Sequence, residues 1–382
     1  MLNVNDSCLC TYDRCLVWAS LALLALGLLM VASTTVNLAD SRHGDALFFF
    51  WRQAAYIGTG LVLGALSFTL DTRHWQALSV PLLLFGGLLL LLVLAVGHEV
   101  NGSLRWIHLG WLRLQPSEAM KLFMVVYMAG YLVRRSTAVR QSLRGFINPM
   151  LVLIAASALL LLEPDYGTAV VLFVTVLGML FLAGVPMRQF LLWVVLVSIT
   201  LFLVILIAPY RLQRLTTFMN PWADPFNSGF QLTQALIAIG RGDWWGVGLG
   251  ASVQKLAYLP EAHTDFLFAI LVEELGLAGG LSVIGLFAVL VWRAFVIARQ
   301  ALLAQRFYAA WLAYGLGLCL GLQAAINLGV NLGLLPTKGL TLPLMSYGGS
   351  SLLVSCVMIA LVLRVDYETR SLSPSSQSRT PE

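Results

Sequence analysis

A concentrated set of side chains able to bind anions or move protons lies in one polar stretch of an otherwise apolar chain. Arg211, Arg214, Arg241, Lys255, Glu261, His263 and Asp265 lie within residues 210–265, between two strongly apolar runs. Connections this long inside compact folds are uncommon, and they tend to be functional or disordered. The stretch is rich in Trp, Tyr, Phe and Leu, which argues against disorder. Its last part, Pro260-Glu261-Ala262-His263-Thr264-Asp265, leads straight into an apolar run. Thr264 is expected as an N-cap with Asp265 in the first helical turn. A helix N-terminus lowers an aspartate pKa, whereas a general base at neutral pH works best with a pKa raised toward 7. Burial acts in the upward direction.

Three further clusters carry charge. Residues 101–121 hold Arg105, Glu118 and Lys121. Pro116 belongs in the first turn of the next helix, with Glu118 near its positive end and Lys121 three residues on, so the two can pair on one face. An ionisable pair facing lipid would cost about 2.5–3.5 kcal/mol per charge at a helix centre, so it must point into the bundle or a wet cavity. A cavity lined by Arg105 and Lys121 would suit a phosphate. Glu163-Pro164-Asp165-Tyr166-Gly167 reads as a tight turn. Residues 335–351 add Lys338 and several hydroxyls, and Glu273 shares a helix face with Asp265 while Glu274 points elsewhere.

Other chemistries find little support. Gly240, Gly242, Gly246, Gly248 and Gly250 lack both the G-x-G-x-x-G spacing and a Walker lysine. The histidines, His43, His74, His98, His108 and His263, are dispersed, and neither H-E-x-x-H nor G-x-S-x-G occurs. Cys8, Cys10 and Cys15 form a poor zinc pattern. No metal ligand set is expected. No basic tract interleaved with aromatics supports nucleic-acid binding.

The elements that must position these groups are transmembrane helices. Of 382 residues, 59% are hydrophobic and 11% charged, with a mean hydropathy of +0.86. A soluble domain carries about 25% charged residues. Apolar runs near 17–36, 54–70, 77–97, 119–133, 148–162, 168–185, 189–209, 266–292, 309–330 and 350–363 predict an all-α polytopic membrane protein of about ten transmembrane helices. The first run exceeds a signal-peptide core and reads as a retained helix. A short amphipathic helix is expected over 231–239. Lys and Arg in the short loops favour cytoplasmic N- and C-termini, which places the 210–265 loop, between helices 7 and 8, outside the cytoplasm. Residues 1–370 form one transmembrane domain, and the Ser/Pro-rich 371–382 reads as a disordered cytoplasmic tail.

The strings G-S-L-R-W-I, Q-P-S-E-A-M-K, G-F-Q-L-T-Q, V-Q-K-L-A-Y-L-P-E-A-H-T-D-F and L-P-T-K-G-L-T-L-P-L-M-S-Y-G-G-S-S resemble the SEDS family (shape, elongation, division and sporulation). The resemblance covers nearly all of the chain except the tails. Ala262, where elongation members usually have Arg, favours the division branch; Glu163, where Gln is commoner, is a departure in a turn. The resemblance implies an inner-membrane peptidoglycan glycosyltransferase at the division septum, polymerising lipid II, with its essential acid at Asp265. It implies as partners a class B penicillin-binding transpeptidase of the FtsI type, divisome proteins of the FtsQ, FtsL, FtsB and FtsN types, and membrane lipids. On this reading Asp265 takes the proton from the GlcNAc 4-hydroxyl of an acceptor. Arg105, Lys121, Arg211, Arg214, Lys255 and Lys338 are the candidates to hold the departing diphosphate. Glu118, Glu261 and His263 complete the expected substrate-contacting set. A divalent cation such as Mg²⁺ could share the charge, without a dedicated cage. A lipid II flippase and a non-catalytic scaffold recruiting the transpeptidase are the alternatives.

Overall fold

A run of about 20 apolar residues satisfies its backbone in lipid only as a helix, because no water is there to replace a missing partner. The computed structural model follows that rule. It describes residues 12–100, 103–109, 112–207, 213, 216–227, 229–256, 259, 261–337 and 339–371. Each of the ten apolar runs falls on one helix: α1 (Arg14–His43), α2 (Phe48–Thr69), α4 (Ser79–Val96), α5 (Pro116–Arg134), α7 (Leu143–Leu162), α8 (Tyr166–Leu182), α9 (Met187–Ile207), α11 (Leu267–Leu303), α12 (Phe307–Asn331) and α13 (Gly349–Ser371). Short helices α3 (Thr72–Ala77) and α6 (Ser136–Gln141) link some of them. Among the described residues six helices are long and apolar enough to cross a membrane.

Helix α12 is the hub, packed by α11, α5, α8 and α13, while α13 lies along α2 and α1 lies against α11. The expected amphipathic segment is α10 (Phe230–Gly242), which packs on α11 and buries Leu232, Thr233, Ala235 and Ala238.

Two features differ from the sequence expectation. Three short strands, β1 (His98–Val100), β2 (Ser103–Leu109) and β3 (Leu112–Leu114), form an antiparallel ribbon, so the chain is not wholly helical. The cause is local: Ser103-Leu104-Arg105-Trp106-Ile107-His108-Leu109 mixes polar and apolar residues, is too short to span lipid and carries the strand-favouring Trp106 and Ile107. Leu109 pairs with Leu112.

Helix α11 is also broken. Gly276 has φ 71° and ψ −173°, and a Cβ there would lie 2.4 Å from Gly246 N. The break frees backbone groups that residues 243–248 then satisfy. Val247 and Gly248 donate to the carbonyls of Glu273 and Glu274 at 3.0 and 3.1 Å. Leu277 and Ala278 donate to Asp243 and Trp244 at 2.8 and 3.2 Å. The loop is thus stitched into the helix it precedes.

Candidate active site

Asp265 closes a turn, residues 261–266, that enters α11. The helix starts at Leu267, and its cap position, Phe266, makes no side-chain capping bond. Thr264 is therefore not the N-cap, and Asp265 precedes the first turn instead of lying in it. The Thr264 hydroxyl donates to Glu261 Oε2 at 2.7 Å, while Asn331 Oδ1 of α12 accepts from Ala269 N at 3.1 Å. An acceptor on a packed neighbour has replaced the local cap. Glu261 sits at φ 58°, a left-handed conformation that non-glycine residues rarely adopt and that often marks functional sites.

The turn is fixed from below by α12. Asn327 and Asn331 each donate an amide hydrogen to the Asp265 carbonyl at 3.0 Å. Gln323, Asn327 and Asn331 fall four residues apart on one buried stripe of α12. The sequence reading missed this ladder, although amides at i, i+4 and i+8 in an apolar run are a legible signal of an inward polar face. Tyr347 N donates to the His263 carbonyl at 2.9 Å, and the His263 ring lies 5.6 Å from the Tyr347 ring and 5.8 Å from Phe49. Arg52 of α2 is also close to this cluster, its Nε–H donating to Tyr56 at 3.0 Å, with Tyr56 6.2 Å from Tyr347. Asp265 itself is half-buried. A Cβ on Gly339 would come within 3.2 Å of its Oδ2, so the backbone at Gly339 approaches the carboxylate closely.

A polar network runs from this turn through the bundle. Lys121 pairs with Glu118 at 2.8 Å, both buried, and also donates to Gln323. Gln323 donates to the Thr341 carbonyl at 2.9 Å, and Thr341 to Ser351 at 2.8 Å. Gln115 N donates to Ser350 at 2.9 Å, and Ser117 to Asp165 at 2.8 Å. Asp165 caps α8, and Arg105 donates to the carbonyls of Glu163 and Pro164 just before it. Glu163 is buried with Oε1 unbonded. Burial first, and the nearby Asp165 carboxylate second, push its pKa up to about 8 against the opposing pull of Arg105.

The remaining candidates are placed as follows. Lys255 is ion-paired with Glu274 at 2.8 Å and donates to Ser33 at 3.0 Å, with the pair buried. Glu273 accepts from Arg241 at 3.1 Å, from Ser252 and from Val253 N. Both acids of α11 thus hold the 241–255 segment. Glu118 and Lys121 come together, as do Glu261, His263 and Asp265, while Arg105 sits apart at the 163–164 turn. Arg211, Arg214 and Lys338 lie outside the described residues, as does the 372–382 tail. Among the described residues no cluster of three or more His, Cys, Asp or Glu side chains could hold a metal ion.

Helices of this length around a buried polar network define a multi-pass helical membrane protein with a carboxylate at one end of its core. Residues 14–371 match the model of the FtsW, RodA and SpoVE family, described as "Cell cycle protein", and the chain belongs to that family. It is 58% identical to the probable peptidoglycan glycosyltransferase FtsW of Nitrosococcus halophilus, over 94% of this chain and 93% of that one. It is 52% identical to the protein of the same description in Coxiella burnetii, over 94% and 98%. Among solved structures it resembles a chain of a peptidoglycan synthase complex that coordinates polymerization and crosslinking, with TM-score 0.77, 34% identity and 94% and 98% coverage. It also resembles the rod shape determining protein RodA of Thermus thermophilus, with TM-score 0.69, 29% identity and 95% and 98% coverage.

Proposed function

We propose that this chain is a peptidoglycan glycosyltransferase that polymerises lipid II for septal wall synthesis, with Asp265 as its general base. The single observation that carries the assignment of the base is the convergence on Asp265. Its carbonyl is gripped by Asn327 and Asn331, its neighbour His263 is held by Tyr347 and Phe49, and the backbone of Gly339 approaches its carboxylate closely. A carboxylate so positioned can accept the proton of a sugar hydroxyl as that oxygen attacks an anomeric carbon. The C–O bond to the donor's lipid diphosphate breaks with inversion, and the leaving group departs as an anion. Cations rather than an acid serve it best. Arg105, Lys121, Arg211, Arg214, Lys255 and Lys338 remain the candidates, with Glu118 setting the position of Lys121.

All ten apolar helices cross the membrane in this proposal, with both termini in the cytoplasm and residues 210–265 outside. Lipid II then reaches Asp265 from the bilayer and stays on the side of the membrane where wall is made. A class B transpeptidase and other divisome membrane proteins are the proposed partners, at the septum of the inner membrane. The likeness to a chain of a peptidoglycan synthase complex supports a transpeptidase partner.

The test is polymerisation of lipid II in detergent by the purified protein with its transpeptidase partner, the partner's own site being blocked. Detergent abolishes the two compartments, so transport cannot pass for synthesis. Wild type is expected to form glycan strands and Asp265→Asn to lose at least about 100-fold in rate. A wild-type rate for Asp265→Asn would remove the assigned base, and no polymer from either protein would favour the flippase or scaffold.

A further inference from the structure

The bundle has a second polar corner, at the end opposite Asp265. A cavity of about 450 Å³ opens there between the last turn of α5, α6 and the ends of α8 and α11, beside the start of α12. Its walls include Leu132, Leu302, Phe307 and Trp311, and its polar groups include Arg140 and Thr137. Arg140 is anchored by one edge: its Nε–H donates to the Ala183 carbonyl at 3.0 Å. Among the described residues no carboxylate pairs with its terminal amino groups.

The distribution of acids explains why. Asp13, Asp71, Asp366 and Glu368 stand at this end of the bundle, and all are taken on its α1–α2–α13 side. Asp13 pairs with Arg293 and Arg370, Asp71 with Arg364, Asp366 with Arg370, and Glu368 with Arg306 and Arg364. The segments around the cavity, 133–144, 182–188 and 299–307, contain seven arginines and no Asp or Glu. Only Arg306 of those seven is ion-paired among the described residues. The corner therefore combines uncompensated guanidinium charge with apolar walls.

We propose that this cavity binds an anionic phospholipid, its phosphate on Arg140 and the base of an acyl chain along Leu302, Phe307 and Trp311. A guanidinium forms its strongest contacts with phosphate oxygens, and basic pockets between membrane helices suit acidic headgroups. A zwitterionic lipid would bring its own cation toward an already basic corner. Inorganic phosphate would leave the apolar walls unused.

Full-length protein in nanodiscs of phosphatidylcholine tests this, with either brominated phosphatidylglycerol or brominated phosphatidylcholine added at the same fraction. The signal is the bromine quenching of Trp311, read as the difference between wild type and Trp311→Phe. Phosphatidylglycerol is expected to quench Trp311 preferentially, added inorganic phosphate to leave that preference intact, and Arg140→Gln to weaken the lipid about tenfold. Equal quenching by the two lipids overturns the proposal, as does displacement by inorganic phosphate or an undiminished preference in Arg140→Gln. The lipid comparison is made within the wild type, so it stands even if Arg140→Gln fails to fold.

Discussion

Glu163 shows how one buried carboxyl can set a pH dependence. Its pKa of about 8 means that the folded protein keeps a proton which an unfolded chain, at the ordinary value of 4.5, gives up. Where the folded state binds more protons, stability falls as pH rises. Glu163 therefore favours the fold fully below about pH 4.5 and loses that contribution progressively up to about pH 8. Glu163→Gln, an isosteric neutral side chain, is expected to flatten the decline in thermal midpoint between pH 5 and pH 8. Midpoints measured across that range for both proteins decide it, and parallel curves would place the titration elsewhere. Asp165, two residues on, behaves as an ordinary cap, bonded to Ser117 and Thr168 at 2.8 and 2.9 Å. The acids of one short turn thus have different duties, set by how many donors each one meets.

At the scale of elements, the 241–255 segment and the broken helix α11 act as a unit. Gly276 permits the break, and Gly246 permits the approach, since a Cβ on Gly246 would lie 2.1 Å from the Glu274 carbonyl oxygen. Gly276→Ala is expected to unpin residues 243–248, measured as faster proteolysis within that loop with little change elsewhere. The buried Lys255–Glu274 pair contributes in the same place. Removing one member strands a buried charge, at a cost of about 3–5 kcal/mol, whereas replacing both costs much less. Glu274→Gln should accordingly lower the thermal midpoint more than the Lys255→Met/Glu274→Leu double variant does. The double variant also probes Lys255 as a diphosphate contact, because restored stability with lost polymerisation would isolate a role in turnover.

At the scale of the molecule, the polar groups are sorted between the two ends of the bundle. One end holds Asp265 with the Glu118–Lys121 pair and the amide ladder of α12. The other holds arginines in excess of acids. Arginine-rich short loops stay in the cytoplasm. A single cysteine placed at Trp245, 85% exposed, in an otherwise cysteine-free protein is therefore expected to react with an impermeant maleimide in intact spheroplasts. One placed at Arg144 should react only after permeabilisation. The reverse pattern would invert the proposed topology.

The sequence by itself determined where the helices lie, because twenty apolar residues in lipid have no other way to satisfy their backbone. It also singled out the 261–265 turn and the Glu118–Lys121 spacing, since type and separation suffice to mark those groups. Tertiary structure alone decided what each charge meets. Glu274, Lys255 and Ser33 are brought together from distant parts of the chain, so no local pattern announces their contact. The missed cap is of the same kind: Asn331, 62 residues from Ala269, does what Thr264 was expected to do. Helix formation is governed by neighbours in sequence, whereas pairing and desolvation are governed by neighbours in space.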